Sequence, residues 1–425
     1  DHRELHSFPT RRSSDLAPAA DAETLDRLER LIREQEARIE AQQQAIDALK
    51  RQVESLKAAR PAEAPTTRTA PPEPAPAEKL AVTTGTPKAN IQLYGQVNRG
   101  VLVVDDGEKT RGHQVDNDNS STRIGLLGAA NPGGELEIGT RVEVQFEANS
   151  SSVINQIDNT DAGPDNFTKR WLDLYLKHER FGKLYVGYGS TASDGTSEVD
   201  FSGTDVAGYA SVSDVGGGFF WYDDSLAELD FDTTIGDAFS DMDGLSRKNR
   251  IRYDSPGFYG LMASTSWISE GGGDVALKYA STFGDFKLAA QAAFADPGGT
   301  SGTLDTQLNG SASVLHASGF NLTLAGGVQN YKGDRDDDGT FLYGKLGYQL
   351  NLCPMGMTAF AIDGGLYNDI DRDGDEGTTF GAQMVQNFTE WATEFYLAYR
   401  FYHLDREPAD YEDFNALLSG FRVKF

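Results

Sequence analysis

The chain has 425 residues, a formal net charge of −27 and one cysteine, Cys353. The charge argues against a nucleic-acid partner, since phosphate binding needs a basic face, and one cysteine excludes an internal disulfide framework. No apolar run reaches the roughly 18 residues of a membrane-spanning helix, but a membrane β-barrel stays open because its strands need only about 9 to 11 residues with apolar character at every second position.

Residues 6–16, HSFPTRRSSDL, resemble a translated sequencing adapter, so residues 1–16 are set aside from fold reasoning as an artefact. The natural start is expected to lie elsewhere, and the lack of a visible signal peptide says nothing in favour of the cytoplasm. From 21 to 60 the pattern is heptad: Leu25, Ile32, Ile39, Ile46 and Val53 are seven apart, with Leu28, Gln35, Gln42, Leu49 and Leu56 three residues after each. This predicts an α-helical coiled coil whose two glutamines interrupt the apolar seam and leave the number of strands open. Residues 61–89 are rich in Pro, Ala, Thr and Glu and predict an extended linker.

Beyond Asn90 short alternating segments run to the end. Strands are expected at 90–105, 121–130, 136–149, 167–179, 183–190, 248–255, 261–270, 275–283, 286–297, 307–317, 320–332, 340–351, 357–368, 378–388, 392–405 and 414–425, sixteen in all. Tight links rich in Gly, Pro or polar residues alternate with longer ones crowded with Asp, Asn, Gly and Ser. That is the arrangement expected when one rim of a barrel has turns and the other has loops. In Leu136–Glu147 the apolar Leu136, Ile138, Val142, Val144 and Phe146 share one parity, and Glu137, Arg141, Glu143, Gln145 and Glu147 the other. A polar inner parity predicts a water-filled lumen rather than a packed sandwich, with Arg141 facing it. Lys169 and Arg170 are adjacent, so strict alternation turns only one of them inward and leaves open which. The terminal strand, with Leu417, Phe421, Val423 and Phe425 outward, is expected to pair with the first strand and close the barrel. The fold class is therefore all-β, a sixteen-stranded antiparallel transmembrane β-barrel over 90–425 preceded by a coiled coil.

Several stretches resemble the Gram-negative general porins, in particular an alphaproteobacterial group. They are Leu93-Tyr94-Gly95-Gln96-Val97-Asn98-Arg99, the run Val115 to Gly125 (VDNDNSSTRIG), Phe181-Gly182-Lys183-Leu184-Tyr185-Val186-Gly187, the run Gly189 to Glu198 (GSTASDGTSE), and the terminal Phe425. The resemblance implies a homotrimer in the outer membrane of a Gram-negative bacterium, in contact with lipid and lipopolysaccharide, that lets small hydrophilic solutes diffuse passively. It also implies a third loop folded into the pore, here about 191–247, which carries thirteen acids and ends at Arg247, its one basic residue. Asp194, Glu198, Asp200 and Asp205 are its candidate constriction acids, with Arg123, Arg141 and Arg170 on the opposing wall, and such an acidic loop favours cations. Phe421, Val423 and Phe425 match the family's signal for the barrel-insertion machinery. The coiled coil is similar to a periplasmic extension found in some porins, with peptidoglycan as its candidate partner.

Asp334, Asp336 and Asp338 before Gly339, and Asp369, Asp371 and Asp373 before Gly374, match the front half of a calcium loop, but Lys345 and Phe380 stand where each closing Glu belongs. Solvated acidic loops are the competing reading, and no cofactor is otherwise expected. Outside 1–16 only His113, His178, His316 and His403 remain, and neither G-x-S-x-G nor H-E-x-x-H occurs, so enzymatic chemistry has no support. The alternatives to a general pore are a solute-specific channel of the same architecture and a coiled-coil-stalked adhesin. A lipase-like barrel is the enzymatic alternative.

Overall fold

The computed structural model describes residues 81–83, 89–158, 167–333, 335 and 337–425. The coiled coil of 21–60, residues 1–16, most of the linker, and Asp334 and Asp336 lie outside the described residues.

Sixteen antiparallel wall strands close into a barrel. In order they are Ala89–Asp105; a second strand in two pieces, Thr110–Asp116 and Arg123–Gly133; Leu136–Phe146; Phe167–His178; Gly182–Ser190; Arg247–Asp254; Leu261–Ile268; Gly272–Phe283; Phe286–Asp296; Leu304–His316; Phe320–Tyr331; Gly339–Cys353; Gly356–Asn368; Glu376–Phe388; Thr393–Asp405; and Phe414–Lys424. Closure is made as expected by the terminal strand, which pairs with Thr393–Asp405 on one side and with residues 96–105 of the first strand on the other. Phe425 and Gly95 exchange two backbone hydrogen bonds of 2.9 and 3.0 Å at the foot of this seam. Only glycine fits there, because a Cβ on residue 95 would lie 2.6 Å from the Phe425 ring.

Three features depart from the expected pattern. Residues 90–92 lie below the terminal strand and pair instead with Ala81–Thr83, so the end of the presumed linker belongs to the wall. The first long link is really a hairpin turn at 106–109 and a break at 117–122, where the chain leaves the wall and turns inward through Asp118–Ser120. The link between Ile268 and Gly272 spans only 269–271, so the alternation of long and short connections is not strict.

Outward alternation holds: Ile138, Val142, Leu172, Leu174, Leu176, Leu184, Val186, Leu417, Phe421, Val423 and Phe425 are exposed to the surroundings of the barrel, the apolar face of a membrane wall. The expectation of a uniformly polar inner face is corrected. Leu102, Tyr343, Tyr367, Tyr396, Tyr402 and Leu418 point inward and form one buried apolar cluster with Val212, Phe219, Trp221 and Phe239 of the long third loop. The loop has no other layer to bury its apolar residues against, so one side of the lumen wall supplies it. Among the described residues no helix is long and apolar enough to cross a membrane.

Candidate functional site

The segment 191–246 folds into the barrel and has structure of its own. It includes a two-stranded hairpin, Phe220–Asp223 with Glu228–Thr234, and a helical turn, Ile235–Ala238, whose N-cap Thr234 and Asp237 form a capping box. Inward-facing polar side chains of the wall sew it in place. The Ser311 hydroxyl donates to the Thr196 carbonyl (2.7 Å) and accepts from the Val199 N–H (3.0 Å), and Ser313 accepts from the Phe201 N–H (3.0 Å). Asp274 accepts from the Ser193 N–H (2.8 Å), and Tyr402 donates to the carbonyls of Val212 (2.5 Å) and Val215 (2.8 Å). Lys345, buried on the inner wall, donates to Asp200 (2.7 Å) and to the Gly208 carbonyl (2.6 Å). These bonds satisfy backbone groups that an inserted loop would otherwise leave unpaired.

What the loop leaves open is a cavity of about 390 Å³ against the side of the wall opposite its apolar anchor. Asp194, Glu198, Asp205, Asp214, Asp241 and Asp243 of the loop line it, with Asp118 from the break in the second strand, facing Arg123, Arg170 and Arg247. Enclosure within the barrel pushes the carboxyls of Glu198, Asp214 and Asp243 well above the usual range, and the negative charge of neighbouring acids adds to the rise. Asp241, which accepts from Ser197, is pushed up by burial to about 6. Beside Asp118, Glu147 is pushed up to about 9 by burial and by sharing a hydrogen bond with the Asp118 carboxylate. Crowded carboxylates that cannot all ionise together keep some of their protons near neutrality.

Of the residues singled out from sequence, Asp194, Glu198, Asp205, Arg123 and Arg170 meet in this cavity. Arg170 is resolved against Lys169 by a bulge between Glu143 and Val144, which lets Arg170 reach Glu143 (2.9 Å) and Gln145 (2.6 Å), while Lys169 lies over the Tyr188 ring. Two assignments are corrected. Asp200 is an anchor, not a lining residue, because its carboxylate is bound to buried Lys345. Arg141 faces the lumen as expected but away from this cavity, paired with Glu143 (2.7 Å) and Tyr94 (2.9 Å). Sequence reasoning missed Asp118 and Arg247 as lining residues. The first sits in the recognised DNDNSST run and the second is the base that ends the acidic segment, yet only folding shows that both turn toward the loop.

Among the described residues no group of three or more His, Cys, Asp or Glu gathers in a metal-binding arrangement, and Asp334 and Asp336 of the first candidate calcium run lie outside them. Asp371, Asp373 and the neighbouring Asp375 are held by guanidinium groups. Arg406 binds Asp375 (2.5 and 2.6 Å) and Asp371 (2.7 Å), and Arg335 binds Asp373 (2.8 Å).

A sequence profile described as Gram-negative porin matches residues 74–409. The chain belongs to this family, whose members are channel proteins rather than enzymes, and its place is the outer membrane. Three solved structures share the fold. OmpT of Vibrio cholerae, folded in vitro, is 14% identical with a TM-score of 0.53, covering 82% of this chain and 100% of that one. The same protein in a trimer form is 14% identical with a TM-score of 0.50, covering 80% and 100%. The outer membrane channel DcaP of Acinetobacter baumannii is 14% identical with a TM-score of 0.50, covering 81% and 100%. No functionally curated protein matches at the sequence level.

Proposed function

We propose that this porin is a general diffusion pore for small hydrophilic solutes that favours cations over anions. One observation carries the preference: seven carboxyl groups face three guanidinium groups around a single cavity. In a narrow, low-dielectric passage such an excess lowers the energy of a cation relative to an anion. The raised carboxyls moderate the excess near neutrality and make it grow with pH. The chain functions as a homotrimer, a reading supported by the trimer form of the Vibrio cholerae neighbour. The terminal strand, with outward Phe421, Val423 and Phe425, serves the barrel-insertion machinery. The test is the reversal potential across a planar bilayer under a potassium chloride gradient. Cation preference is expected, and it should weaken in Asp205→Asn and Asp118→Asn. A reversal potential of the sign for chloride preference, or no channels at all, overturns the proposal.

A further inference from the structure

On the tight-turn side of the constriction the inner wall changes character. Seven of the cation–ring contacts in the structure fall in one band of the wall, on residues from 94 to 252. The Arg141 guanidinium lies 4.1 Å from the Trp171 ring centre and 5.7 Å from that of Tyr94. Arg250 lies 5.7 Å from Trp171 and 5.4 Å from Tyr185. Arg252 lies 5.5 Å from Tyr185, and the Lys183 ammonium 4.5 Å from Tyr185 and 3.8 Å from Tyr175. Rings and cations therefore alternate from Tyr94 to Tyr175, and the rings of Trp171, Tyr175 and Tyr185 remain partly exposed.

The charges of this band divide into used and unused. Arg141, Arg250 and Arg252 are bound to Glu143, Asp173 and Asp254, and the Tyr175 hydroxyl donates to Glu137 (2.8 Å). Lys183 and, across the lumen-facing register, Lys278 form no ion pair among the described residues. The Trp171 indole N–H and the Tyr185 hydroxyl have no partner there either, and neither is buried away from water. Two free ammonium groups, two free donors and aromatic surface thus share one stretch of wall. An inorganic anion would engage the ammonium groups alone and a neutral sugar the rings and donors alone, whereas a solute with a ring and a carboxylate engages all of them.

We infer that this band is a binding site for aromatic carboxylates within the turn-side vestibule, beneath the acidic constriction. The inference needs the barrel to be an open channel but is independent of its ion preference. The acids around the constriction repel an anion arriving from the loop side, so the site is reached more readily from the turn side, the periplasmic one in barrels of this kind.

The test is open-channel block in a planar bilayer, with benzoate as probe, acetate as the anion without a ring and benzyl alcohol as the ring without a charge. Benzoate added on the turn side should reduce the current in a saturable way, with a weaker effect from the loop side, and neither control should match it. Lys183→Gln and Tyr185→Leu should each raise the half-blocking concentration by roughly five-fold, the range of one cation–ring or ring–ring contact. Channel formation in solute-free salt shows that each variant has folded, and Tyr185→Phe serves if Tyr185→Leu does not fold, with a smaller rise expected from loss of the hydroxyl alone. Block by acetate equal to that by benzoate, block unchanged in Lys183→Gln, or no benzoate block overturns the site. Reversal potentials measured without benzoate report separately on the cation preference.

Discussion

Lys345→Met probes what holds the third loop in the pore. The lysine side chain is 0% exposed and its partner Asp200 4% exposed, with the ammonium 2.7 Å from the carboxylate and 2.6 Å from the Gly208 carbonyl. Methionine keeps most of the volume and removes the charge. Asp200 would then retain the Ser202 N–H at 2.6 Å and a long contact to Thr323 at 3.4 Å, which is too little for an enclosed carboxylate. Removing one partner of a buried ion pair costs about 3–5 kcal/mol. A barrel with a continuous strand ladder survives such a loss, but the middle of an inserted loop opens at comparable free energies. Single-channel recordings of Lys345→Met should therefore show a noisier and larger open current, with a lowered melting temperature. Adding Asp200→Asn removes the stranded charge and should recover most of both effects, a coupling of about 1–3 kcal/mol between the two sites. If Lys345→Met conducts like the native protein, or if the double variant is no better than the single one, the pair does not hold the loop.

The raised carboxyls of Glu198, Asp214 and Asp243, with Asp241 at about 6, make cation preference rise with pH, because each proton lost adds a negative charge beside the passage. Reversal potentials between pH 5 and pH 9 check this, and a preference that falls with pH contradicts it. By linkage, these groups bind protons more tightly folded than unfolded, so their stabilising contribution is full below the unfolded carboxylate range, near pH 4, and is lost as pH rises through the folded values. Melting should accordingly begin earlier at pH 9 than at pH 5. Arg406→Ala should remove the guanidinium shared by Asp371, Asp375 and Thr233, leaving each side chain its contact with Arg372, and loosen the outer loops, seen as faster cleavage between 369 and 375 in limited proteolysis with the melting of the barrel nearly unchanged. Gly95→Val should reduce the yield of folded barrel on gel mobility shift, because its side chain meets the Phe425 ring where the seam closes. Normal yield would show that the seam adapts.

The strand count, the outward apolar faces and closure by the terminal strand were legible because a membrane wall imposes a period of two on every strand, and local alternation is enough to see it. The candidate constriction was half legible. A dense run of acids signals a loop that is not a wall strand, but which carboxylate lines the passage depends on partners far away in sequence. Asp200 is taken by Lys345, 145 residues on, and looks in sequence no different from Asp205, which lines the cavity. Arg170 faces inward only through a one-residue bulge that parity rules assume away. The carboxylates of 369–374 show the same dependence: their spacing is local, and the Arg406 that binds Asp371 comes from the next loop but one in the chain.

Phe414–Phe425 shows both sides of this division. Alternation alone determined that Leu417, Phe421, Val423 and Phe425 share a face and that the segment is a strand, since side-chain parity is a property of the backbone. The tertiary structure decided that its inward face is not uniformly exposed to water. Leu418 and Phe414 meet Phe219 and the apolar underside of the third loop there, so half of the lumen wall is core and the passage is confined to the other half. Inward residues answer to whatever the lumen contains, and only the folded loop specifies that.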